Sequence, residues 1–490
     1  MANTHASKSA AVRARLSHPV IDSDGHTVEF EPGVMERLQM IGGLSIVERY
    51  KSKRMDGMMS SLGGMLNWHR LSPQEQRAQH VTVPPWWALP AKNTLDRATS
   101  MLPKLLYERL DEMGIDVSVL YPTFGLLAPH LDDEEIRRAA CRAFNTYHAD
   151  IFREYGDRLI PVAVIPMHTP QEAIEELDYA VNTLGMKTVM LAGHVLRPVP
   201  EVVRMAPEAA RFAYWLDTFC LDSDYNYDAV WAKCVELKVA PTFHSAGMGW
   251  GSRTSTSTYM YNHIGHFGAA GEALCKALFF GGVTQRFPTL KFAFLEGGAS
   301  WGADLYAALL ARWDKRNPEA LENYNPANLN VEQLLDLCQR YGGRVTEGKL
   351  DLLANASGAT INTKSAPEQK NDFWQCNITK REDIRDLFVP HFYFGCEADD
   401  PMNATAFNTT ANPFGAQLGA IYSSDIGHWD VPDMTEVTEE AYELVEHGVI
   451  TEEHFRDFVF TNPTMLWTGM NPNFFTGTVV EQQVNRLLAA

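Results

Sequence analysis

The segment "VIDSDGHTVEF", residues 20–30, sets Asp22, Asp24, His26 and Glu29 within a few positions of one another, directly after apolar residues. Other short apolar runs end in similar groups: "LAGH" in His194, "PTFHSAG" in His244, "FLEGGAS" in Glu296, "FGCEADD" in Glu397, Asp399 and Asp400, and "SSDIGHWD" in Asp425 and His428. Carboxylates are seldom buried unpaired, because desolvation penalises the ionised form or raises the pKa until the group is neutral. A divalent cation turns their mutual repulsion into coordination, and mixed imidazole and carboxylate donors suit Zn, Mn or Fe. Asp24 and His26 share one side of an extended segment, so both can reach one ion.

Eight apolar, β-branched runs carry these groups: "HPVIDSD" from 18, "IDVSVLYP" from 115, "LIPVAVIPM" from 159, "KTVMLAG" from 187, "VAPTFHSAG" from 239, "LKFAFLEGG" from 290, "HFYFGCEAD" from 391 and "AIYSSDIG" from 420. Between them, segments such as "DEEIRRAACRAFNTYHADIFREYG" and "PQEAIEELDYAVNTLG" repeat apolar residues at helical spacing. Near-continuous apolar strands alternating with helices indicate a parallel sheet covered on its outer face. The expected fold is therefore α/β, a (β/α)8 TIM-type barrel with long βα-loop insertions, whose catalytic mouth lies at the carboxyl ends of the strands. The barrel is expected over residues 18–470, with insertions at about 31–114, 195–230 and 302–388, a mobile tail at 1–17 and a C-terminal extension at 471–490. The Met- and Trp-rich pieces "KRMDGMMSSLGGMLNW" and "VPPWWALP" fall in the first insertion, and such long connections commonly serve as lids, binding loops or oligomer contacts.

With 42 Lys plus Arg against 61 Asp plus Glu, the 490-residue chain carries a net charge of -19, which leaves no broad basic surface for nucleic acid. The seven cysteines are scattered and form no CxxC pair, which argues against a disulfide framework and a thiolate zinc site and fits a reducing cytoplasm. The first residues, "MANTHASKSAAVRARL", lack the apolar stretch of a signal peptide, and no apolar run is long enough to span a bilayer, so no membrane association is expected. No GxSxG elbow and no GxGxxG fingerprint appears, which sets aside serine hydrolysis and dinucleotide binding.

The strand-end pattern resembles the amidohydrolase superfamily, in particular the amidohydrolase-2 branch that includes aminocarboxymuconate semialdehyde decarboxylase. That branch has a metal-binding HxH after strand 1, a His after strand 5, a His-Gly-Gly after strand 6 and an Asp after strand 8. Here "DGH" supplies Asp24 and His26, "PTFHSAG" supplies His244, "FLEGGASW" places Glu296 at the catalytic-His position, and "YSSDIGHWD" supplies Asp425. Asp24 and Glu296 stand where the branch has histidines, so its decarboxylation mechanism does not transfer directly. "YNHIGHF", "FGCEADDP" and "SSDIGHWDVPDM" are also similar to a subgroup with dinuclear iron or manganese-iron members, among them components of isobutylamine N-hydroxylase.

The resemblance implies a primary metal on Asp24, His26, His244 and Asp425, with Glu296 as ligand or proton-transfer group. His263 and His266, three apart at the start of an expected helix, and Glu29 are candidates for a second ion, giving one or two divalent metals (Fe, Mn or Zn) per chain. Glu296, Asp425 and His194 are the candidate catalytic residues, and Glu397 and His428 are candidates to orient the ligands. The expected activity is metal-dependent hydrolysis, or C–C cleavage, of a small organic substrate. Two alternatives remain open: a dinuclear Fe or Mn/Fe monooxygenase acting on a small amine or carbon substrate, and a partner subunit of a related barrel enzyme. The expected assembly is a homo-oligomer or a hetero-oligomer with such a subunit.

Overall fold

A computed structural model describes residues 7–61, 71–80, 82–83, 91–245, 247, 253–325, 328–355 and 371–490. Residues 62–68 of "KRMDGMMSSLGGMLNW" and 84–90 of "VPPWWALP" lie outside the described residues.

Eight parallel strands form one sheet in sequence order: β1 (Ile21–Thr27), β2 (Val117–Pro122), β3 (Leu159–Ile165), β4 (Thr188–Leu191), β5 (Pro241–Phe243), β6 (Phe292–Phe294), β7 (Phe392–Glu397) and β8 (Gly419–Ser423). The sheet closes on itself where Asp425 N–H donates to Asp24 O at 2.9 Å and His26 N–H to Ile426 O at 2.9 Å. All eight runs read as strands are strands, and the fold is the (β/α)8 barrel expected. The strands are buried almost throughout, as a parallel sheet between a filled interior and an outer helix layer requires. Phe243, Phe292, Phe294, Phe392 and Phe394 pack ring to ring on the outer face of β5–β7, where Trp231, Trp301 and Phe388 of the covering helices meet them.

The outer helices begin where side chains can cap them. Asp133 accepts from Ile136 N–H at the start of Glu134–Ile151, and Thr169 accepts from Glu172 N–H at the start of Pro170–Asp178. Arg137 and Glu172 join these two helices as a buried ion pair at 2.6 Å.

The N-terminal segment differs from expectation. Lys8–Arg15 is a helix capped by Ser7, with Ser9 and Val12 buried. Arg13 pairs with Asp116 at 2.6 Å, and Ser9 Oγ accepts from Glu439 N–H. The expected mobile tail is therefore a docked helix over these residues, because its one apolar stripe has the helices Pro103–Met113 and Val437–Glu446 to pack on. At the other end Phe474, Phe475, Val480 and Val484 are buried, and Lys187 Nζ donates to Phe474 O at 2.6 Å. The insertion after β4 contributes an antiparallel hairpin, Val195–Pro198 with Tyr214–Asp217, held by an Arg197–Asp217 pair at 3.0 Å. No helix among the described residues is long and apolar enough to cross a membrane.

A register shift in β1 between Asp22 and Gly25 decides which acidic groups face the mouth. Asp22 turns between strands and accepts from Ser118 Oγ (2.6 Å), Ser424 Oγ (2.8 Å) and Ser424 N–H (2.9 Å), tying β1, β2 and the end of β8 together. A Cβ at Gly25 would lie 2.6 Å from both Asp22 Oδ2 and Ser118 Oγ. Gly25→Ala is therefore expected to cost about 1–3 kcal/mol through overpacking. Urea unfolding of the variant measures this, and an unchanged midpoint would contradict the role given to the bulge.

Candidate metal centre

Asp24 and His26 leave the end of β1, His244 follows β5, Glu296 follows β6, and Asp425, His428 and Asp430 follow β8. The barrel brings these sequence-distant groups to one point. Ligand atoms of Asp24, His26 and His244 all lie within 4.8 Å of one another. His26 Nε2 and His244 Nε2 face each other at 3.1 Å, and Asp24 Oδ1 is 3.5 and 3.7 Å from them. Asp425 Oδ1 lies 3.3 Å from His26 Nε2, and Glu296 Oε2 lies 3.1 Å from His244 Nε2. His26, Asp425 and His428 form a second compatible set, and Glu296, Asp425 and Asp430 a third, so Asp425 belongs to two of them.

Two backbone features mark the same place. Glu296 and Asp425 have φ of 59° and 49°, left-handed values that a non-glycine residue adopts at a cost. That strain is held by barrel contacts on both sides of each residue. Gly298 N–H donates to Gly395 O at 3.1 Å, and Asp425 N–H donates across the closing seam to Asp24.

Burial sets the electrostatics. It holds Asp24 and Asp425 well above the usual carboxylate range, with neighbouring carboxylates adding to it, and raises Glu296 to about 7 against a bond from His428. The same desolvation holds His26 well below the histidine range and lowers His244 to about 3. Both Asp24 oxygens, Glu296 Oε2 and Asp430 Oδ1 are buried without a hydrogen-bond partner. Buried polar atoms ordinarily have partners, and neutral imidazoles with converging unpartnered carboxylates are a donor set for a divalent cation. The residues present therefore fit a metal.

His428 is placed to orient Asp425: Nδ1 is 2.8 Å from Asp425 Oδ1, Thr123 Oγ1 is 3.3 Å from Nε2, and the ring stacks on His26 at 3.6 Å. Glu397, at the end of β7, lines the adjoining cavity of about 330 Å³ together with Glu296, Asp430, His263 and His266.

Other expected residues take different positions. Glu29 lies in none of the metal-compatible sets. Its oxygens accept from Phe124 N–H (2.9 Å) and Gly125 N–H (2.8 Å), so it ties the start of the loop after β2 to β1. His263 and His266 also lie outside those sets. They were expected on one helix, but Gly265 at φ 75° separates Tyr259–His263 from His266–Phe280; the rings still approach to 4.5 Å beside Trp429. His194 is buried after β4 with its ring 5.1 Å from that of His130, and it too lies outside the sets, although Gly193 abuts Ser245, next to His244. Asp430 was missed. Its signal was the alternation of carboxylate and imidazole in "SDIGHWD", read only as far as His428.

One consequence is a pH-dependent stability that metal should relieve. The lowered imidazoles of the cluster are neutral in the folded chain with or without metal, so their slope is common to both forms and the buried carboxylates set the difference between them. Glu296, raised to about 7, keeps in the folded chain a proton that the unfolded chain has released, so stability falls as pH rises through that value. Glu29 and Glu176, also raised to about 7, add a fall of the same sign that a metal at the cluster does not touch. Metal-stripped protein should thus lose more melting temperature between about pH 6.5 and 8.5 than metal-loaded protein. Identical losses would contradict cation binding at these carboxylates.

Comparison with known proteins reaches His244 and Glu296 and leaves Asp24, His26 and Asp425 outside the matched segment. Residues 116–322 match the model of the Amidohydrolase family, as the strand-end residues implied. A curated relative, 2-keto-4-carboxy-3-hexenedioate hydratase of Sphingobium sp. (strain NBRC 103272 / SYK-6), is 24% identical over 200 residues, which cover 39% of this chain and 52% of the hydratase. The chain thus spans about half the length of that relative. Among solved structures, 5-carboxyvanillate decarboxylase from Sphingomonas paucimobilis aligns with TM-score 0.49 and 12% identity, covering 92% of this chain and 99% of that one. Dihydroxybenzoic acid decarboxylase from Polaromonas sp. JS666, with bound manganese and the inhibitor 2-nitroresorcinol, aligns with TM-score 0.46 and 14% identity, covering 92% and 97%.

Proposed function

From a chain whose residues 116–322 carry the amidohydrolase family pattern, we propose a metal-dependent enzyme that hydrolyses, or cleaves a C–C bond of, a small organic substrate. The observation that carries this reading is the convergence of Asp24, His26, His244 and Asp425 at the barrel mouth with unpartnered, buried oxygens. These four residues would hold the ion. A divalent cation bound there supplies Lewis acidity, lowering the pKa of water and polarising a carbonyl.

The chain's own residues do the remaining work. Glu296, its carboxyl raised by burial and its Oε2 unpartnered, is placed to accept and return a proton. His428 holds the Asp425 carboxylate in place at 2.8 Å. The cavity lined by His263, His266, Trp429 and Glu397 has room for a small molecule beside Glu296.

A second reading rests on the set Glu296, Asp425 and Asp430, which shares Asp425 with the set His26, Asp425 and His428. Residues of these two sets would hold two ions, with Asp425 common to both, and such a pair would supply the oxygen chemistry of the dinuclear iron or manganese-iron alternative. The family match carries the first reading only.

The test is a screen of small carboxylic acids, amides and amines with metal-reconstituted protein, products being read by mass spectrometry. The proposal expects turnover that chelation abolishes, that Mn, Fe or Zn restores, and that proceeds unchanged without oxygen. Turnover unaffected by exhaustive chelation overturns it, and strict oxygen dependence with iron transfers the assignment to the second reading.

A further inference from the structure

The cavity of about 330 Å³ beside Glu296 is lined on one side by Gly265, His266, Phe267 and Gly268, where the helix His266–Phe280 begins. This helix of 15 residues has no side-chain cap and no acidic residue in its first turn. Among the described residues, the N–H groups of His266, Phe267 and Gly268 find no acceptor. A helix start of this kind carries positive partial charge and unfilled donors, both of which an anion takes up.

Two side chains at the same end add donors. His266 is 2% exposed, and neither its Nδ1 nor its Nε2 has a hydrogen-bond partner. Burial, then His263, His244 and Arg253, hold this imidazole down at about 2, so it is neutral and presents one ring N–H. Arg253 donates from Nη2 to Gly265 O at 3.0 Å and buries its Nε without a partner. Arg109, Arg137 and Arg197 each hold a carboxylate, whereas Arg253 has none within ion-pair distance among the described residues. Buried donors ordinarily have partners, and a guanidinium N–H beside an imidazole N–H is a receptor for an oxyanion. The helix start is also fixed relative to Glu296. Gly268 packs so closely on the loop after β6 that a Cβ there would lie 3.3 Å from Gly297 O.

We propose that the start of this helix, His266 and Arg253 together hold an anionic group of the substrate, a carboxylate or a phosphate, with the rest of the molecule directed toward Glu296 and the cation cluster. The inference rests on the reading of this mouth as a substrate site, and it narrows the substrate class to small organic anions.

The experiment titrates the full, metal-loaded chain by NMR with propionate, methyl phosphate, propionamide and propylammonium. At least one of the two anions should bind more tightly than propionamide and propylammonium, and which one it is distinguishes carboxylates from phosphates. Arg253→Gln and His266→Phe should each weaken that anion by about 10-fold or more, the usual loss for a hydrogen bond to a charged group, and leave propionamide within about twofold. Metal content should stay at the wild-type value. Arg253 is a half-buried loop residue, so its variant keeps the test decisive if His266→Phe does not fold. Anion binding unchanged in Arg253→Gln, which would put the anion on the metal alone, overturns the proposal. Failure of both anions to bind, or tighter binding of propylammonium than of either, overturns it as well. The same titration of metal-stripped protein separates this inference from the metal reading. Turnover that resists chelation defeats that reading, while an anion affinity that still falls by about 10-fold in Arg253→Gln supports the anion site.

Discussion

Replacing Asp24 with alanine should lower divalent-metal affinity by more than 100-fold and remove turnover, while the barrel stays folded. The residue donates nothing to the fold that would mask this. Its side-chain oxygens have no hydrogen-bond partner, and the closing contact to Asp425 uses its backbone carbonyl, which alanine keeps. Loss of a group that only orients a metal ligand typically costs 10–100-fold in affinity, so loss of a ligand should exceed that. The metal-free variant should also be more stable than the metal-free wild type near neutral pH, because it no longer buries a carboxyl that burial and its neighbours hold well above the usual range. Metal titration of both proteins by calorimetry, with thermal melts of the stripped forms, separates these effects. A variant that binds metal as tightly as wild type would remove Asp24 from the ligand set.

Glu296→Gln should lower turnover by about 10²–10⁴ with the primary metal still bound, since that is the range lost with a positioned acid or base. Glutamine keeps the shape and the left-handed backbone of Glu296 and removes only the titratable group. The pH–rate profile should lose the limb that Glu296 supplies, which the bound cation moves below the value of about 7 that burial alone gives. Loss of one of two bound ions instead, with the remaining activity keeping that limb, would make Glu296 a ligand of a second site with Asp425 and Asp430. Metal analysis of the variant beside its kinetics tells these outcomes apart.

The strands were legible because a parallel barrel buries them on both faces, leaving short apolar runs that polar groups terminate at the catalytic end. Asp24, His26, His244, Glu296, Asp425 and His428 could be named together for the same reason: each lies at or just past the carboxyl end of its run. Features set by local backbone geometry were not legible. Simple alternation puts Asp22, Asp24 and His26 on one side, but the register shift before Gly25 turns Asp22 into the links between strands. Glu29 reads as a third donor beside His26, yet the loop after β2 presents two backbone N–H groups that bind it. The helical spacing of His263 and His266 ignored the left-handed Gly265 between them. Lys8–Arg15 has little intrinsic drive to fold, and its order comes from the surface it packs on, which lies far away in sequence.

The central claim is that Asp24, His26, His244 and Asp425 share one cation. Anomalous diffraction from crystals of protein purified without added metal, recorded on both sides of the Mn, Fe and Zn absorption edges, tests it most directly. The account predicts a peak at one of those edges within about 2.0–2.3 Å of a donor atom from each of the four residues. A well-ordered site with no anomalous peak, in protein that is fully active as crystallised, would contradict it.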